Sequence, residues 1–260
     1  MSDPIQLVVF GAAGRMGQAI FELASQSPDL EVSAGVVRPG SGVLSSSAEN
    51  LLPGAYVAHV PADAKADALV DFSGPGGFDA ALDLARARGW PLVSGSTGLS
   101  QRQLSSMEDA ATHIPVLWAA NFSLGVAALA HLVSQAARLL PDWDCEIIEA
   151  HHRNKQDAPS GTALMLGRRI RAARGGTGAD SAIDRSGSRR DGEIGYAAIR
   201  AGDIVGEHEV RLAAPGERIE LIHRATDRNL FARGALTAAR WLAGKPPGFH
   251  GIADVLGLDH

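Results

Sequence analysis

The chain has 260 residues, with 24 basic and 29 acidic side chains and a formal net charge of −5. This mild acidity argues against a nucleic-acid-binding surface, which needs clustered cations, and the length suffices for one large domain or two modest ones. No run of about 18 apolar residues that could span a bilayer is present. Only three basic residues are lysines, Lys65, Lys155 and Lys245, so each is a candidate for a specific role.

The N-terminus and the single cysteine are typical of a protein that stays in a reducing compartment. Met1-Ser2-Asp3-Pro4 lacks the basic start of a signal peptide. Cys145 cannot form an internal disulfide and lies in a strand-like run. We therefore expect a cytoplasmic protein that binds neither membranes nor nucleic acid.

The first 120 residues alternate strand-like and helix-like patterns. Ile5–Phe10 is a continuous apolar run typical of a strand buried on both faces, and a helical pattern follows it as far as Ser27-Pro28-Asp29. Residues 39–66 give no clear pattern. Further strands are predicted at Leu30–Val37, Ala68–Phe72, Pro91–Val93 and Ile114–Ala120, and further helices around Phe78–Ala85 and over Val126–Leu140. This alternation predicts a Rossmann-like, doubly wound parallel sheet of the α/β class.

Beyond Pro141 the pattern changes to that of a second, α+β domain. Its predicted elements are a strand at Trp143–Ala150, a helix at Gly161–Ala173, a mobile Gly/Arg/Ser-rich surface loop over 174–192, and an antiparallel meander of three strands at Gly195–Arg200, Glu207–Leu212 and Arg218–His223. A closing helix is predicted at Asp227–Leu242.

A glycine-rich turn follows the first strand. Gly11, Gly14 and Gly17 would let backbone N–H groups at a helix N-terminus approach a pyrophosphate. Ala13 stands where the usual dinucleotide fingerprint has its second glycine, and a plain tight turn is the alternative interpretation. The strand before the turn and the helix after it favour a dinucleotide.

The end of the second strand bears on which dinucleotide binds. An acidic residue is expected there to accept hydrogen bonds from a ribose hydroxyl, but position 37 is Val and the next residue is Arg38. A guanidinium suits a 2′-phosphate; a solvated charge at a strand end is the alternative. We therefore expect NADPH to be preferred, with NADH as a weaker cofactor.

Two later turns lie at predicted carboxyl ends of strands, where ligands of open α/β sheets bind. They are Gly95-Ser96-Thr97-Gly98 and Ala119-Ala120-Asn121-Phe122. Ordinary loops could have either composition, so their position alone makes them candidates for the nicotinamide side of a cofactor site.

The densest polar cluster runs from Glu149 to Thr162 and joins a strand to a helix. Ser160 can cap that helix, whose free N–H groups and the nearby Lys155 could bind a carboxylate. His151 and His152 offer a proton donor near neutral pH, although one of them could be structural because neighbouring strand residues point to opposite sides. Zinc is disfavoured, since no Cys or third His lies at ligand spacing. The other seven His residues are expected to be surface or core residues.

Six segments of the chain together form a recognisable set: GAAGRMG, SGSTG, AANFSLGV at 119–126, EAHHRNKQDAPSGTAL at 149–164, IRAGDIVGEH at 199–208 and HRATDRNLFARGAL at 223–236. With these segments the chain resembles the 4-hydroxy-tetrahydrodipicolinate reductase (dihydrodipicolinate reductase) family of bacterial lysine and diaminopimelate biosynthesis. The similarity runs from residue 5 to the C-terminus, and the segment around His151 is its most specific part.

The resemblance implies a cytoplasmic homotetrameric oxidoreductase that acts on a cyclic imine dicarboxylate. It implies a dinucleotide-binding domain over residues 1–122 and 231–260, and a substrate-binding and oligomerisation domain with an open mixed sheet over 123–230. His151 matches the general acid and Lys155 the second catalytic group. The substrate-binding positions are His152, Ser160, Gly161 and Thr162. The cofactor-binding positions are Gly11, Ala12, Ala13, Gly14, Arg15, Met16, Arg38, Gly95, Ser96, Thr97, Ala119, Ala120, Asn121 and Phe122, and no metal is expected.

Two positions depart from the family pattern. Val37 stands where many members that use both cofactors have an acidic residue, and Gly74 stands where some have a basic one. The valine argues against efficient use of NADH, and the glycine weakens the wall of the cofactor site further. The alternative functions are another two-domain Rossmann dehydrogenase and a non-catalytic NADP(H)-binding sensor, which would not need the cluster around His151.

Overall fold

A computed structural model describes residues 3–42, 56–176 and 187–258 of the chain. The chain divides into two compact units, Met1–Ser123 with Asn229–His260, and Leu124–Arg228. Within the described ranges, no helix combines the length and the apolar character needed to cross a membrane.

The elements are numbered in chain order. The first are β1 (Ile5–Phe10), α1 (Arg15–Ser25), β2 (Leu30–Val36), β3 (Tyr56–Val57), β4 (Ala68–Asp71), α2 (Pro75–Arg88), β5 (Leu92–Ser94), α3 (Gln101–Ala110) and β6 (Pro115–Trp118). The others are α4 (Leu124–Leu139), β7 (Asp144–His151), α5 (Gly161–Ala173), β8 (Ile194–Arg200), β9 (Gly206–Ala214), β10 (Glu217–Ala225), α6 (Asn229–Leu242), β11 (Gly248–His250) and α7 (Ile252–Val255).

The first unit is built on a parallel sheet with the strand order β11-β6-β5-β4-β1-β2-β3. Buried residues of α1 and α6, such as Ile20 and Leu236, pack on one face of the sheet, and those of α2 and α3, such as Phe78 and Met107, pack on the other. Helices on both faces explain why the buried residues of β1 and β4 are apolar, except for Asp71 at the end of β4. The predicted Rossmann-like, doubly wound sheet is confirmed.

Short elements account for most differences from the sequence-based prediction in this unit. The two-residue strand β3 lies inside the stretch 39–66, of which 43–55 are outside the described residues. The elements β11, α3 and α7 have no predicted counterpart. β2 and β4 end one residue earlier than predicted, and β6 ends two residues earlier.

The second unit contains a mixed sheet with the order β10-β9-β7-β8. β7 runs parallel to β8 and antiparallel to β9, which forms a hairpin with β10. Helices α4 and α5 cover one face and bury a core that includes Ile147, Leu166 and Val210. Ile199 and Ile222 are exposed, at 49% and 40%. The predicted α+β unit with an open mixed sheet is confirmed.

The predicted meander of three antiparallel strands is wrong for its first strand. β8 pairs with β7 and not with β9, since β7 lies between them. The connection 201–205 passes the end of β7, where the Ala201 N–H donates to the His151 carbonyl (3.0 Å) and the Arg153 N–H donates to the Gly202 carbonyl (3.1 Å). This crossing brings the start of β9 next to His151.

The stretch 174–192 is anchored at both described ends. Arg174 donates to the Trp143 carbonyl at 2.7 Å, and Arg189 is ion-paired with Glu146 on β7. Residues 177–186, on which most of the predicted mobile loop falls, lie outside the described residues.

Candidate active site

Strand register assembles a polar group at one end of the second unit's sheet. Along β7, Cys145 and Ile147 point into the core, and by the two-residue period Glu149 and His151 lie on the same helix-covered face. Glu149 is opposite His208 of β9, and His151 is beside Arg200 of β8. We call Glu149, His151, Ser160, Arg200 and His208 the His151 cluster.

Glu149 is the acceptor at the centre of the His151 cluster, and its side chain is 1% exposed. Its Oε2 lies 2.6 Å from Nδ1 of His151 and accepts from Nη1 of Arg200 at 2.7 Å. Its Oε1 accepts from Nη2 of Arg200 at 2.7 Å and from the Ser160 N–H at 3.1 Å. A carboxylate with this many donors is fully hydrogen-bonded although it is buried.

Ser160 and His208 complete the His151 cluster. Ser160 is the N-cap of α5, as predicted, because its Oγ accepts from the Ala163 N–H at 3.2 Å. The same Oγ lies 3.1 Å from Nε2 of His208. The His208 ring meets the His151 ring edge-on, with centroids 5.2 Å apart, and the buried Nδ1 of His208 has no hydrogen-bond partner among the described residues.

Burial and charge set the protonation of these groups. Burial lowers the pKa of His151 below its usual value, and the hydrogen bond to Glu149 acts in the opposite direction. Burial would raise the pKa of Glu149, but hydrogen bonds from Arg200 and His151 outweigh it and hold that pKa below its usual value. Burial lowers the pKa of His208 to about 4. His208 is therefore neutral at pH 7, and Glu149 is ionised.

Lys155 lies in the loop between β7 and α5. Its Nζ donates to Oδ1 of Asp157 at 2.8 Å, and Asp157 is largely exposed. Its charge is close enough to His151 to lower the pKa of that imidazole. Of the predicted substrate positions, His152 is half-buried just after β7, Gly161 is exposed at the start of α5, and Thr162 is half-buried in its first turn.

In the first unit, the glycine turn leaves the start of α1 open. Gly14 is the N-cap, with no side chain hydrogen-bonded to the first helical N–H groups. Gly11 has φ +75°, and a Cβ there would lie 2.6 Å from the Phe72 carbonyl oxygen. A Cβ at Gly17 would lie 2.4 Å from the Ala12 carbonyl oxygen, so this glycine permits close packing of α1. Ala12 is buried, Ala13 and Met16 are half-buried, and Arg15 is exposed.

A buried carboxylate organises the turn after β5. Asp71 accepts from the hydroxyls of Ser73 (2.5 Å), Ser94 (2.8 Å) and Ser96 (2.7 Å). Ser96 Oγ also accepts from the Gly74 N–H at 2.9 Å. The hydroxyl of Ser96, a predicted cofactor residue, is thus used within the protein, whereas Thr97 is exposed. A Cβ at Gly95 would lie 2.1 Å from the Phe72 ring.

The turn after β6 is also built mainly by packing. Ala119 and Phe122 are buried, and the Phe122 ring lies 5.5 Å from that of Phe72. Asn121 Oδ1 accepts from the Ser123 N–H at 2.8 Å, and Ala120 is exposed. The side chains of Ser96 and Phe122 are therefore used to shape the loops.

A cavity of about 1230 Å³ opens beside the glycine turn. Gly11, Gly14, Val37, Arg38 and Phe72 are among the residues that line it. Val37 is buried and Arg38 is exposed. The cavity therefore has an uncapped helix start at one part of its wall and a guanidinium at another.

Residue types and spacing in the sequence do not identify three members of the His151 cluster as functional candidates. Glu149 and Arg200 received no role, and His208 was expected to be an ordinary surface or core residue. His208 is buried, in agreement with that expectation, and its ring also contacts the His151 ring and Ser160. The alternation of Cys145 and Ile147 with polar residues could have placed Glu149 on the face of His151, but its partners on β8 and β9 follow from the sheet order alone.

Comparison with protein families gives matches over nearly the whole chain. The profile described as Dihydrodipicolinate reductase, N-terminus, matches residues 5–122, and the one described as Dihydrodipicolinate reductase, C-terminus, matches residues 125–256. The 4-hydroxy-tetrahydrodipicolinate reductase of Stenotrophomonas maltophilia is 47% identical, with 97% of this chain and 98% of the relative covered. That of Xanthomonas campestris pv. campestris is 48% identical, with 98% and 99% covered.

Solved structures share the fold. The dipicolinate-bound dihydrodipicolinate reductase of a Paenisporosarcina species superposes with a TM-score of 0.78 at 22% identity, covering 96% of this chain and 99% of that one. A probable dehydrogenase from Thermotoga maritima has a TM-score of 0.60 at 12% identity, with 98% and 93% covered. The fold alone is therefore not specific to one enzyme family, whereas the matching profiles and the relatives at 47–48% identity all belong to one family. The chain belongs to the dihydrodipicolinate reductase family of oxidoreductases.

Proposed function

We propose that the chain reduces 4-hydroxy-tetrahydrodipicolinate to tetrahydrodipicolinate, with NADPH preferred over NADH, in the diaminopimelate route to lysine. Its relatives at 47–48% identity carry the name of that reductase. The observation that carries the proposal is the His151 cluster, in which a histidine of controlled orientation lies beside a helix start and a lysine. A sensor that only binds a nucleotide would not need this arrangement.

The substrate is a small cyclic imine with two carboxylates, and the second unit offers partners for both. The first N–H groups of α5, after Ser160, form an anion site. Lys155 supplies a compact cation. Its ion pair with the exposed Asp157 is weak in water, so a substrate carboxylate can replace Asp157. His152, Gly161 and Thr162 are proposed as further substrate contacts.

The first unit has features that fit a dinucleotide. The open start of α1 at Gly14 suits a pyrophosphate, and the cavity beside it has room for a large ligand. Arg38 on the cavity wall suits a 2′-phosphate, and Val37 offers no acceptor for a 2′-hydroxyl. The other proposed contacts are Gly11, Ala12, Ala13, Arg15, Met16, Gly95, Ser96, Thr97, Ala119, Ala120, Asn121 and Phe122.

The chemistry divides between the cofactor and the His151 cluster. Loss of the C4 hydroxyl as water converts 4-hydroxy-tetrahydrodipicolinate into a conjugated imine. A reduced nicotinamide, when bound, would supply hydride to C4 of that imine. Electron density then moves toward the ring nitrogen and C3, and His151 in its imidazolium form donates a proton from Nε2 to C3. Lys155 and the start of α5 hold the carboxylates and so fix the ring for both transfers.

The proposal extends to assembly and location. We propose a homotetramer in the cytoplasm, joined through the open face of the second unit's sheet. Ile199 and Ile222 are exposed on strands of that sheet and would be covered in such an assembly. Light scattering of the purified protein tests the assembly, and a monomeric mass would contradict it.

A steady-state assay tests the activity and the cofactor preference together. The substrate is the condensation product of pyruvate and aspartate semialdehyde, offered with NADPH or NADH. We expect oxidation of both cofactors and a higher kcat/KM with NADPH. Arg38→Ala should reduce the ratio of kcat/KM with NADPH to kcat/KM with NADH. Arg102→Ala, which removes an exposed ion pair of α3, should leave that ratio unchanged. Absence of oxidation would favour another dehydrogenase activity or a sensor, and a higher kcat/KM for NADH would refute the preference.

A further inference from the structure

We propose that Glu149 is a positioning residue of the reductase reaction: its carboxylate holds the His151 ring through Nδ1, so that Nε2 is the atom that delivers the proton. Arg200 keeps that carboxylate in place. This inference rests on the proposed function and adds a residue for which neither the sequence pattern nor the family resemblance supplies a role.

The hydrogen bonds around Glu149 leave its carboxylate little freedom to move. Two guanidinium N–H groups of Arg200, the Nδ1 of His151 and the N–H of Ser160 all reach its two oxygens, at 2.6–3.1 Å. Three of these groups, the two guanidinium N–H groups and the Ser160 N–H, can only donate, and the hydrogen bonds hold the pKa of Glu149 below its usual value, so the carboxylate is in its ionised, acceptor-only form. Nδ1 must therefore carry a hydrogen, and any second proton on the imidazole has to be on Nε2.

The surroundings of the ring favour the same orientation. A Cβ at Gly206 would lie 3.1 Å from Nε2 of His151, so the glycine leaves the space beside this atom open. The edge-on His208 ring fixes the plane of the imidazole from another side. Arg200 also donates to the Asp157 carbonyl at 2.6 Å, which connects the Glu149–Arg200 pair to the loop that carries Lys155.

Electrostatics give Glu149 a second effect on the proton donor. Burial, Lys155 and Arg200 all lower the pKa of His151, and Glu149 is the group that raises it. His208 adds no positive charge at neutral pH, because burial lowers its pKa to about 4. Without the Glu149 carboxylate, the pKa of His151 would fall further, and less of the imidazolium form would be present at a given pH.

The decisive variant is Glu149→Gln, which keeps the shape but removes the charge and one acceptor. We expect kcat to fall roughly 10- to 100-fold, the usual cost of losing the group that orients a functional histidine. The KM for the imine should change much less, and the decline of kcat with rising pH should move to lower pH. Glu146→Gln is the matched control, since Glu146 lies on the same strand and is also paired with an arginine, Arg189. It should keep the wild-type kcat and pH profile.

The outcomes separate the possible roles of Glu149. Wild-type kcat and pH profile in Glu149→Gln would overturn the proposal. A rise in KM alone would also overturn it, because it would assign Glu149 to the Ser160 turn rather than to His151. A wild-type protein that does not reduce the imine would instead refute the proposed function.

A second measurement uses the wild-type protein and stays valid if Glu149→Gln does not fold. Nitrogen NMR of the ¹⁵N-histidine-labelled chain reports which ring nitrogen carries hydrogen, and His151→Asn identifies the signals of His151 by their loss. The proposal predicts a protonated Nδ1 and, above the pH at which the ring becomes neutral, an unprotonated Nε2. The reverse tautomer would overturn it whatever the activity.

Discussion

The Oγ of Ser160 and the Nε2 of His208 lie 3.1 Å apart, although 48 residues separate them in the chain. Ser160 begins α5 and His208 belongs to β9, so this contact joins the proposed anion site to the sheet. His208 is 4% exposed. The contact therefore depends on an imidazole that is held neutral by burial, and this has a consequence for stability in acid.

Acid should destabilise the fold through His208. The pKa of His208 is about 4 in the folded chain against 6.5 for the free group. The stabilisation of the fold by the neutral imidazole is therefore complete above pH 6.5 and is lost as the pH falls from 6.5 toward 4. At pH 5 the loss is about 2 kcal/mol. The Tm of the wild type should drop more between pH 7.5 and pH 5 than that of His208→Asn. His113→Asn, on an exposed turn, should behave as the wild type, and equal drops in all three proteins would contradict the account.

The pH dependence of kcat/KM should report the protonation of His151 in the free enzyme. Because His151 must carry the transferable proton and burial lowers its pKa, kcat/KM should fall as the pH rises, with a midpoint below 6.5. A bound dicarboxylate favours the imidazolium, so the midpoint for kcat should lie higher. Glu149 is ionised and His208 is neutral in this range, so neither group accounts for this limb. A kcat/KM that rises from pH 6 to pH 9 would contradict the assignment.

Variants of His151 and Lys155 test the two catalytic assignments. His151→Gln and Lys155→Ala should each lower kcat by roughly 10² to 10⁴, the usual effect of one acid–base group. Lys65→Ala is the control for loss of a lysine, since Lys65 is remote in sequence and lies in the other unit. Wild-type turnover in both variants would remove the basis of the mechanism.

Lys155→Arg separates charge from donor geometry. The substitution keeps a cation but replaces a compact ammonium with a planar guanidinium. We expect the KM for the imine to recover part of the loss seen in Lys155→Ala, while kcat stays low. Full recovery of kcat would show that only the charge of Lys155 matters. The scarcity of lysine in the chain makes this position informative, because arginine fills 21 of the 24 basic positions.

Close packing of α6 on the turn after β6 should make Gly234 sensitive. A Cβ at Gly234 would lie 1.8 Å from the Phe122 carbonyl oxygen, so Gly234→Ala forces the helix away from the turn and should cost about 1–3 kcal/mol or more of the free energy of unfolding. Gly76, in α2, has no atom within 4 Å of its hypothetical Cβ. Gly76→Ala should therefore be neutral or stabilising by about 0.5 kcal/mol. Thermal unfolding of both variants checks the contrast, which equal Tm values would contradict.

The long elements are predictable from the sequence because local periodicity determines them. α5 begins at Gly161 and ends at Ala173 as predicted, since a cap residue precedes an amphipathic run. β1 is apolar over its length and is recovered in full. Two- and three-residue strands such as β3 and β11 carry too few side chains for a pattern, and form because a neighbouring strand offers free backbone groups.

The site is predictable only in part, because the pairing of β7 with β8 and β9 is what brings several of its residues together. The local segment supplies His151, Lys155 and Ser160, and these can be found from residue types and spacing. Arg200 and His208 reach Glu149 because β7 lies between β8 and β9. Sequence adjacency favours a β8–β9 hairpin instead, in which Arg200 and His208 would not flank Glu149. The hydrogen bonds that hold His151 through Glu149 could therefore not be inferred without the sheet order.

Transfer of deuterium from the cofactor tests whether the chain reduces the imine by hydride transfer from NADPH. NADPH that carries deuterium at both C4 positions of the nicotinamide is oxidised by the enzyme with the condensation product of pyruvate and aspartate semialdehyde, and the product is analysed by NMR. We expect deuterium at C4 of tetrahydrodipicolinate, with transfer slowed by His151→Gln in parallel with kcat. Oxidation without deuterium at C4, or no oxidation of NADPH when this substrate is added, would contradict this expectation.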